Sequence, residues 1–274
     1  MTGMPITGGA LAMPKLGLGT WRMSGRDCTA AVTRALSLGY RHIDTAEMYG
    51  NEEAVGAALA GSSIPRDEIF LTTKVWYENL TPDGVRRAIE ASLAKLRTDH
   101  VNLFLIHWPS PSMNLAAVLA TMAHLKHEGL VRHIGVSNFT VALMRQAVES
   151  IGAEIACNQV EYHVLLGQNA VLDYARAHGI TVTAYCPLAQ GRLGDHPALA
   201  AVAAKHGATP AQIALKYLLD QEGVAAIPKA AREETQRANL AALTITLDDE
   251  DRAALAALPK TQRFVDPAFA PEWD

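Results

Sequence analysis

A chain of 274 residues, 49% hydrophobic and 19% charged, carries enough apolar side chain for a large buried core, which excludes a mainly disordered polymer. Its net charge of −4, with Lys and Arg scattered along the chain, excludes a surface built for nucleic acid. Cys28, Cys157 and Cys186 are too far apart in sequence for a disulfide framework or a metal site, no basic leader precedes an apolar segment and no apolar run has membrane-spanning length, so a cytoplasmic protein without metal is expected.

Residues 1–15 read as a β-hairpin, with Gly8-Gly9 as its turn between Pro5-Ile6 and Leu11-Ala12. From there short apolar runs alternate with amphipathic or Ala-rich segments. Strands are expected over residues 16–20, 42–46, 69–75, 101–107, 133–137, 155–160, 181–186 and 224–228. Helices are expected over 51–60, 82–96, 115–127, 141–151, 169–178 and 210–221. Thr81 before Pro82 and Thr209 before Pro210 are helix starts, and Gly39, Gly129 and Gly179 are helix stops. A further helix spans 248–258, and a tail over 259–274 carries Phe264, Phe269 and Trp273, which are apolar enough to dock on the body of the protein. Strand-helix units repeated eight times without a flexible linker predict an α/β protein, a (β/α)8 TIM barrel formed by residues 1–274 as one domain, with the hairpin across its bottom.

In such a barrel the chemistry lies where strands end and the following loops begin. The second strand ends on Asp44, the third on Lys74 and the fourth on His107, while Tyr49 follows closely after the second. A lysine inside an apolar barrel needs a counter-charge, and Asp44 is placed to supply it. The ammonium beside the Tyr49 hydroxyl is then expected to lower the phenol pKa, making Tyr49 a proton donor, with His107 orienting a carbonyl oxygen. Singly, Asp44 also reads as a helix cap, His107 as a satisfied core histidine and Tyr49 as packing; their convergence at three successive strand ends favours function. Metalloprotease, thiol-redox, serine-hydrolase and P-loop motifs are all absent, and Gly17-Leu-Gly19 lacks the third glycine of a dinucleotide fingerprint because Arg22 stands there.

The sequence resembles the aldo-keto reductases, in particular bacterial 2,5-diketo-D-gluconate and methylglyoxal reductases. The segments that carry the resemblance run from Gly-Leu-Gly-Thr20-Trp21 through Gly-Tyr-Arg-His-Ile-Asp44-Thr-Ala, Tyr49-Gly-Asn-Glu, Thr-Lys74-Val-Trp76, Leu-Ile-His107-Trp108-Pro, Gly-Val-Ser137-Asn138-Phe, Asn158-Gln159-Val-Glu-Tyr and Tyr185-Cys-Pro-Leu188 to Ile-Pro-Lys229. The resemblance implies NADPH-dependent reduction of aldehydes or ketones, with Asp44, Tyr49, Lys74 and His107 as catalytic tetrad.

It further implies that Thr20, Trp21, Asp44, Ser137, Asn138, Gln159, Tyr185, Pro187 and Leu188 line a nicotinamide cofactor. Lys229 and Ala230 would lie by its phosphate, with Thr235 and Asn239 toward the adenine. Ala230 stands where the family has Ser, and Thr235 where an Arg commonly grips the 2′-phosphate, so NADH use alongside NADPH is expected. Trp21, Tyr49, Trp76, His107 and Trp108 form the expected pocket for a small polar carbonyl compound. The loops after the fourth and seventh strands read as short, which would leave that pocket open. His163 and Gln190 are candidates to line the groove, with an ordinary packing role at least as good an account. A monomer is expected from the resemblance. The rival reading is a cofactor-binding, redox-sensing regulatory subunit with little turnover, which slow oxidation of bound cofactor together with a stable partner protein would reveal.

Overall fold

The computed structural model describes residues 11–194 and 196–274. Eight parallel strands pair in sequence order: β1 (Leu18–Gly19), β2 (His42–Asp44), β3 (Phe70–Val75), β4 (Val101–Ile106), β5 (Val131–Ser137), β6 (Ile155–Glu161), β7 (Thr181–Tyr185) and β8 (Val224–Ala226). The two ends of this sheet meet through parallel bridges Leu16↔Ala226 and Gly19↔Lys229, with Gly17 N–H donating to Ala226 O at 2.9 Å and Gly19 N–H to Pro228 O at 3.2 Å. The sheet therefore curls until its first and last strands bond, as in a (β/α)8 barrel. A Cβ on Gly19 would lie 2.6 Å from Ile227 O. The Gly17-Leu-Gly19 stretch thus serves this close approach between strands.

Helices α1 (Gly25–Leu38), α2 (Glu52–Ala60), α3 (Pro82–Leu96), α4 (Leu115–His127), α5 (Val141–Arg145), α6 (Asn169–Ala177), α7 (Pro197–Lys205), α8 (Pro210–Leu219), α9 (Glu233–Ala241) and α10 (Asp249–Ala256) complete the elements used below. None of the helices among the described residues is long and apolar enough to cross a membrane. The expected caps form where their side chains predict them. Thr81 Oγ1 accepts from Gly84 N–H at 3.1 Å, and Thr209 closes a capping box with Gln212 at the start of α8.

Several expected elements are shorter or divided. The strand expected over 42–46 stops at Asp44, because the chain turns into a tight 3₁₀ turn, Glu47–Tyr49. The helix expected over 141–151 ends as α5 and continues as a wider coil in which Ile151 N–H reaches Gln146 O at 3.0 Å. The connection from β7 to β8 holds both α7 and α8, preceded by a long stretch, so the loop after the seventh strand is not short. The hairpin's turn at Gly8-Gly9 lies outside the described residues.

Strand period two decides what faces inward. Ile43, Leu71, Val75, Phe104, Ile106, Val136, Val160 and Val182 pack outward with the helices in the main core. Phe70, Leu103, Leu105, Cys157 and Ala225 join Leu11 and Met13 in a separate apolar cluster. The alternate, inward side of β2, β3 and β6 then carries Asp44, Lys74 and Gln159.

The approach of α2 to the end of α3 is closer than any side chain allows, since a Cβ on Gly56 would stand 2.2 Å from Lys95 O. Gly56→Ala is therefore expected to lower unfolding free energy by about 1–3 kcal/mol, measured by urea titration; an unchanged midpoint would refute this packing.

Candidate active site

The site is built on a buried ion pair. Lys74, 0% exposed, donates from Nζ to Asp44 Oδ1 at 2.6 Å, to Thr45 O at 2.9 Å and to the Tyr49 hydroxyl at 3.4 Å. The second carboxylate oxygen, Asp44 Oδ2, accepts from Gln159 Nε2 at 2.8 Å. Both charges are buried and therefore depend on these opposite or dipolar partners.

Tyr49 is brought over the pair by the turn that follows β2. Asn51, which sequence reading passed over except as a helix start, fastens that turn: its Oδ1 accepts from Thr45 Oγ1 at 2.8 Å, and its Nδ2 donates to Thr20 O and Met23 O, both at 2.9 Å. Glu47 fixes the other side by accepting from Trp76 N–H at 2.8 Å and Asn79 Nδ2 at 2.7 Å. His107 follows β4, its ring edge-on to Tyr49 at 5.6 Å and to Trp76 at 5.2 Å between centroids. Its Nδ1 is buried and has no hydrogen-bond partner among the described residues.

Asn138 and Gln159 continue the floor. Asn138 adopts φ 62°, donates from Nδ2 to His107 O at 3.0 Å and Ser137 Oγ at 3.1 Å, and accepts from Tyr185 OH at 2.8 Å. Above this floor opens a cavity of about 1070 Å³. Of the residues singled out from the sequence, Thr20, Trp21, Asp44, Tyr49, His107, Trp108, Asn138, Gln159, Tyr185, Pro187, Leu188, Gln190 and Lys229 line it. Lys74 reaches it only through its partners.

Ser137, Trp76, Ala230, Thr235, Asn239 and His163 do not line it. Ser137 lies beneath, its hydroxyl donating to Gln159 O at 2.8 Å. Trp76 meets His107 edge-on from behind, and His163 is fully buried against Glu161. Ala230 is buried after β8, while Thr235 and Asn239 sit on α9. Lining residues that the sequence reading missed include Arg22, Met48, Arg192, Leu193, Thr209 and Val265. Arg192 and Leu193 belong to the stretch after β7 that was read as short; no periodic pattern marks it, and only its Gly191 and Gly194 hint at a loop of this length.

Known proteins resemble this chain along nearly its whole length. Residues 15–260 match the model of the Aldo/keto reductase family. The chain is 46% identical over 96% of its length to the whole of methylglyoxal reductase DkgB from Escherichia coli O157:H7. A crystal structure carrying the name 2,5-diketo-D-gluconic acid reductase B superposes with a TM-score of 0.95 at 41% identity, covering 100% of this chain and 98% of that one. An aldo/keto reductase from Brucella melitensis superposes with a TM-score of 0.89 at 38% identity, over 93% of this chain and 98% of its own.

Burial governs the protonation states. It pulls the Lys74 ammonium down, and the Asp44 charge pulls it back up. It pushes the Tyr49 phenol well above its ordinary value, with Asp44 and Cys186 adding to the rise. The expectation that Lys74 would leave Tyr49 with a lowered pKa is thus reversed: loss of water around the hydroxyl, then the Asp44 charge, push it up, and the phenol keeps its proton. His107 is pushed well below its ordinary value by burial and then by Lys74, so it is a neutral imidazole. His42, fully buried on β2, is lowered to about 4 by burial.

His42, held at about 4, refuses at pH 5 a proton that the unfolded chain accepts below about 6.5, and the lowered His107 acts in the same direction. Stability is therefore complete above that pH and falls as pH drops through the window, by about 1.4 kcal/mol per pH unit for His42, with His107 adding in the same direction. Urea unfolding at pH 7 and pH 5 should differ by about 2–4 kcal/mol, with a shallower slope in His42→Gln. A flat profile in the wild type would contradict the buried neutral imidazoles.

Proposed function

The chain belongs to the aldo/keto reductase family, and from that premise we propose that it is a nicotinamide-dependent reductase of small polar carbonyl compounds, of the methylglyoxal or 2,5-diketo-D-gluconate kind. The observation that carries this reading is the fully buried Lys74 ammonium, bonded to Asp44 and 3.4 Å from a Tyr49 hydroxyl that faces the same cavity as His107.

The cavity suits an elongated anionic cofactor beside a small substrate. It runs from Tyr49 and His107 to Lys229, an exposed cation with no ion pair among the described residues, and its volume exceeds the need of a three-carbon or six-carbon carbonyl compound. Thr20, Trp21, Asn138, Gln159, Tyr185, Pro187 and Leu188 would hold the nicotinamide half, with Ser137 supporting them from beneath. Gln159 has its amide nitrogen engaged by Asp44, which leaves its carbonyl oxygen to receive an amide N–H. A reduced nicotinamide held by these residues would supply hydride to a carbonyl carbon.

The protein's own part is the proton. Tyr49, held protonated by its burial, donates its O–H to the developing alkoxide, and the phenolate left behind is stabilised by Lys74 at 3.4 Å. Asp44 keeps Lys74 charged and in place. His107, neutral, has a ring N–H with which to orient the carbonyl oxygen without competing as an acid. Trp21 and Trp108 wall the substrate end, and Trp76 backs His107. Solvent at the mouth returns the proton to Tyr49.

The 2′-phosphate end is thinly furnished. Thr235 offers no charge and Arg237 is paired with Glu233 at 2.7 Å, which leaves Lys229 at the cavity edge and Arg232 at the start of α9 as the cations on this side, with Arg22 and Arg192 elsewhere on the lining. The reading is therefore of NADPH use with NADH accepted, by a cytoplasmic monomer whose residues 1–274 form one barrel domain.

Loss of reduced-nicotinamide absorbance with methylglyoxal tests the activity, run in parallel with NADPH and NADH. Tyr49→Phe should lower kcat by about 10²–10⁴-fold while cofactor binding, read by tryptophan quenching, persists; wild-type turnover in that variant would sink the mechanism. Thr235→Arg is expected to raise the preference for NADPH over NADH by about tenfold or more, through a new charge-assisted contact. An unchanged ratio would place the 2′-phosphate elsewhere.

A further inference from the structure

Glu161 ends β6 two residues beyond Gln159 on the same inward side, and it is 0% exposed. Its carboxylate has no Lys or Arg partner among the described residues. Three N–H groups hold it instead: Phe264 N–H donates to Oε1 at 2.9 Å, Val265 N–H to Oε2 at 2.9 Å, and His163 Nε2 to Oε1 at 3.1 Å. His163 Nδ1 accepts from Leu165 N–H at 3.3 Å, which leaves the hydrogen on Nε2 and makes the ring a neutral donor. Two of the three donors thus come from the C-terminal tail, about a hundred residues away in the chain.

The tail is tied differently on either side of this point. Upstream it is paired by backbone, Gly167 N–H to Lys260 O at 3.1 Å and Gln262 N–H to Leu165 O at 2.9 Å. At Phe264 and Val265 the Glu161 carboxylate takes over, and these are the residues where the tail meets the cavity. Val265 lines it directly. The Phe264 ring lies under the Arg192 guanidinium at 5.2 Å, and Arg192 lines the cavity from the stretch after β7. Beyond them Phe269 packs edge-on against Trp76 at 5.8 Å and Trp108 at 5.5 Å.

We propose that Glu161 is a positioning residue for the reaction: its carboxylate holds the tail as a wall of the cavity and, through Phe264, holds the Arg192 loop against that wall. One buried anion then sets the substrate side and the loop side together, although it touches neither ligand. Glutamine at this position keeps one carbonyl acceptor but turns an NH2 group toward a donor, so the tail loses one of its two anchors without loss of side-chain volume. The proposal rests on the cavity being the reductase site described above.

The test pairs kinetics with a readout that needs no turnover, limited trypsinolysis at the Arg263–Phe264 bond, followed by mass. In Glu161→Gln, cleavage there is expected to accelerate by about tenfold, because local opening of the tail becomes easier. The KM for methylglyoxal should rise by about tenfold while kcat stays within about threefold of wild type, the pattern of lost ground-state binding. Val265→Ala and Phe264→Leu keep both backbone N–H groups on Glu161. The first should raise KM severalfold and the second should weaken NADPH binding severalfold, both with wild-type cleavage; these two decide the matter if Glu161→Gln does not fold. Unchanged cleavage in Glu161→Gln, or faster cleavage with KM unmoved, overturns the proposal, as does a kcat that collapses along with KM. If the wild type itself reduces no carbonyl compound with either cofactor, the functional reading falls, whereas the cleavage result still judges the anchor.

Discussion

Burying an ammonium and a carboxylate inside a protein costs several kcal/mol for each ion, and breaking such a pair by removing one partner costs about 3–5 kcal/mol. The Lys74–Asp44 pair imposes that constraint on this molecule, and much of the architecture answers it. The two side chains face inward on adjacent strands, Asp44 paired in register with Thr72 and Lys74 two residues further along the same face, so the pleat must carry both to the same side. Gln159 satisfies the remaining carboxylate oxygen, and the Thr45 carbonyl takes a second ammonium hydrogen. The phenol of Tyr49 is the neighbour of Lys74 that brings an O–H to the cavity, and that is why the charge has a chemical outlet there.

The pair was legible in the sequence because strand ends can be located from apolar runs and because a lone lysine closing such a run has few explanations. The same logic found His107. It gave the wrong sign for Tyr49, since a linear reading counts the neighbouring ammonium and has no measure of how much water is removed around the hydroxyl. Asn239 and Thr235 were placed by resemblance, which conveys position in the chain but not the direction in which α9 presents each side chain. The anchoring of the tail by Glu161 was out of reach, because nothing in the residues near 161 refers to Phe264 or Val265. Only the three-dimensional path of the tail joins them.

Left-handed backbone at residues other than glycine is sparsely populated and costs about 1–3 kcal/mol each where the conformation is strained. Five such residues stand at or beside the cavity: Arg22 at φ 60°, Asn138 at 62°, Cys186 at 48°, Ala189 at 50° and Gln190 at 54°. Asn138 is over-determined by three side-chain hydrogen bonds, so its conformation is locked. Cys186, Ala189 and Gln190 have no comparable network. Their stretch is held by the turn bonds Ala189 N–H to Cys186 O and Gly191 N–H to Leu188 O, and by Arg192 over Phe264. The cavity therefore has a rigid floor and a less firmly held side, which is a useful division where a ligand must enter and leave.

The bonds that join β8 to the first strand have a meaning for how the molecule is made. Gly17 and Gly19 find their carbonyl partners at Ala226 and Pro228, roughly two hundred residues later. On a ribosome the first seven strands emerge before those partners exist, so the growing sheet carries an open edge at its first strand and another at its last. Such edges are templates for pairing with other chains. The glycines that let the strands close so tightly also leave the waiting edge bare of side chains, and so the nascent protein is most exposed to misassembly just before the last strand arrives to complete the ring.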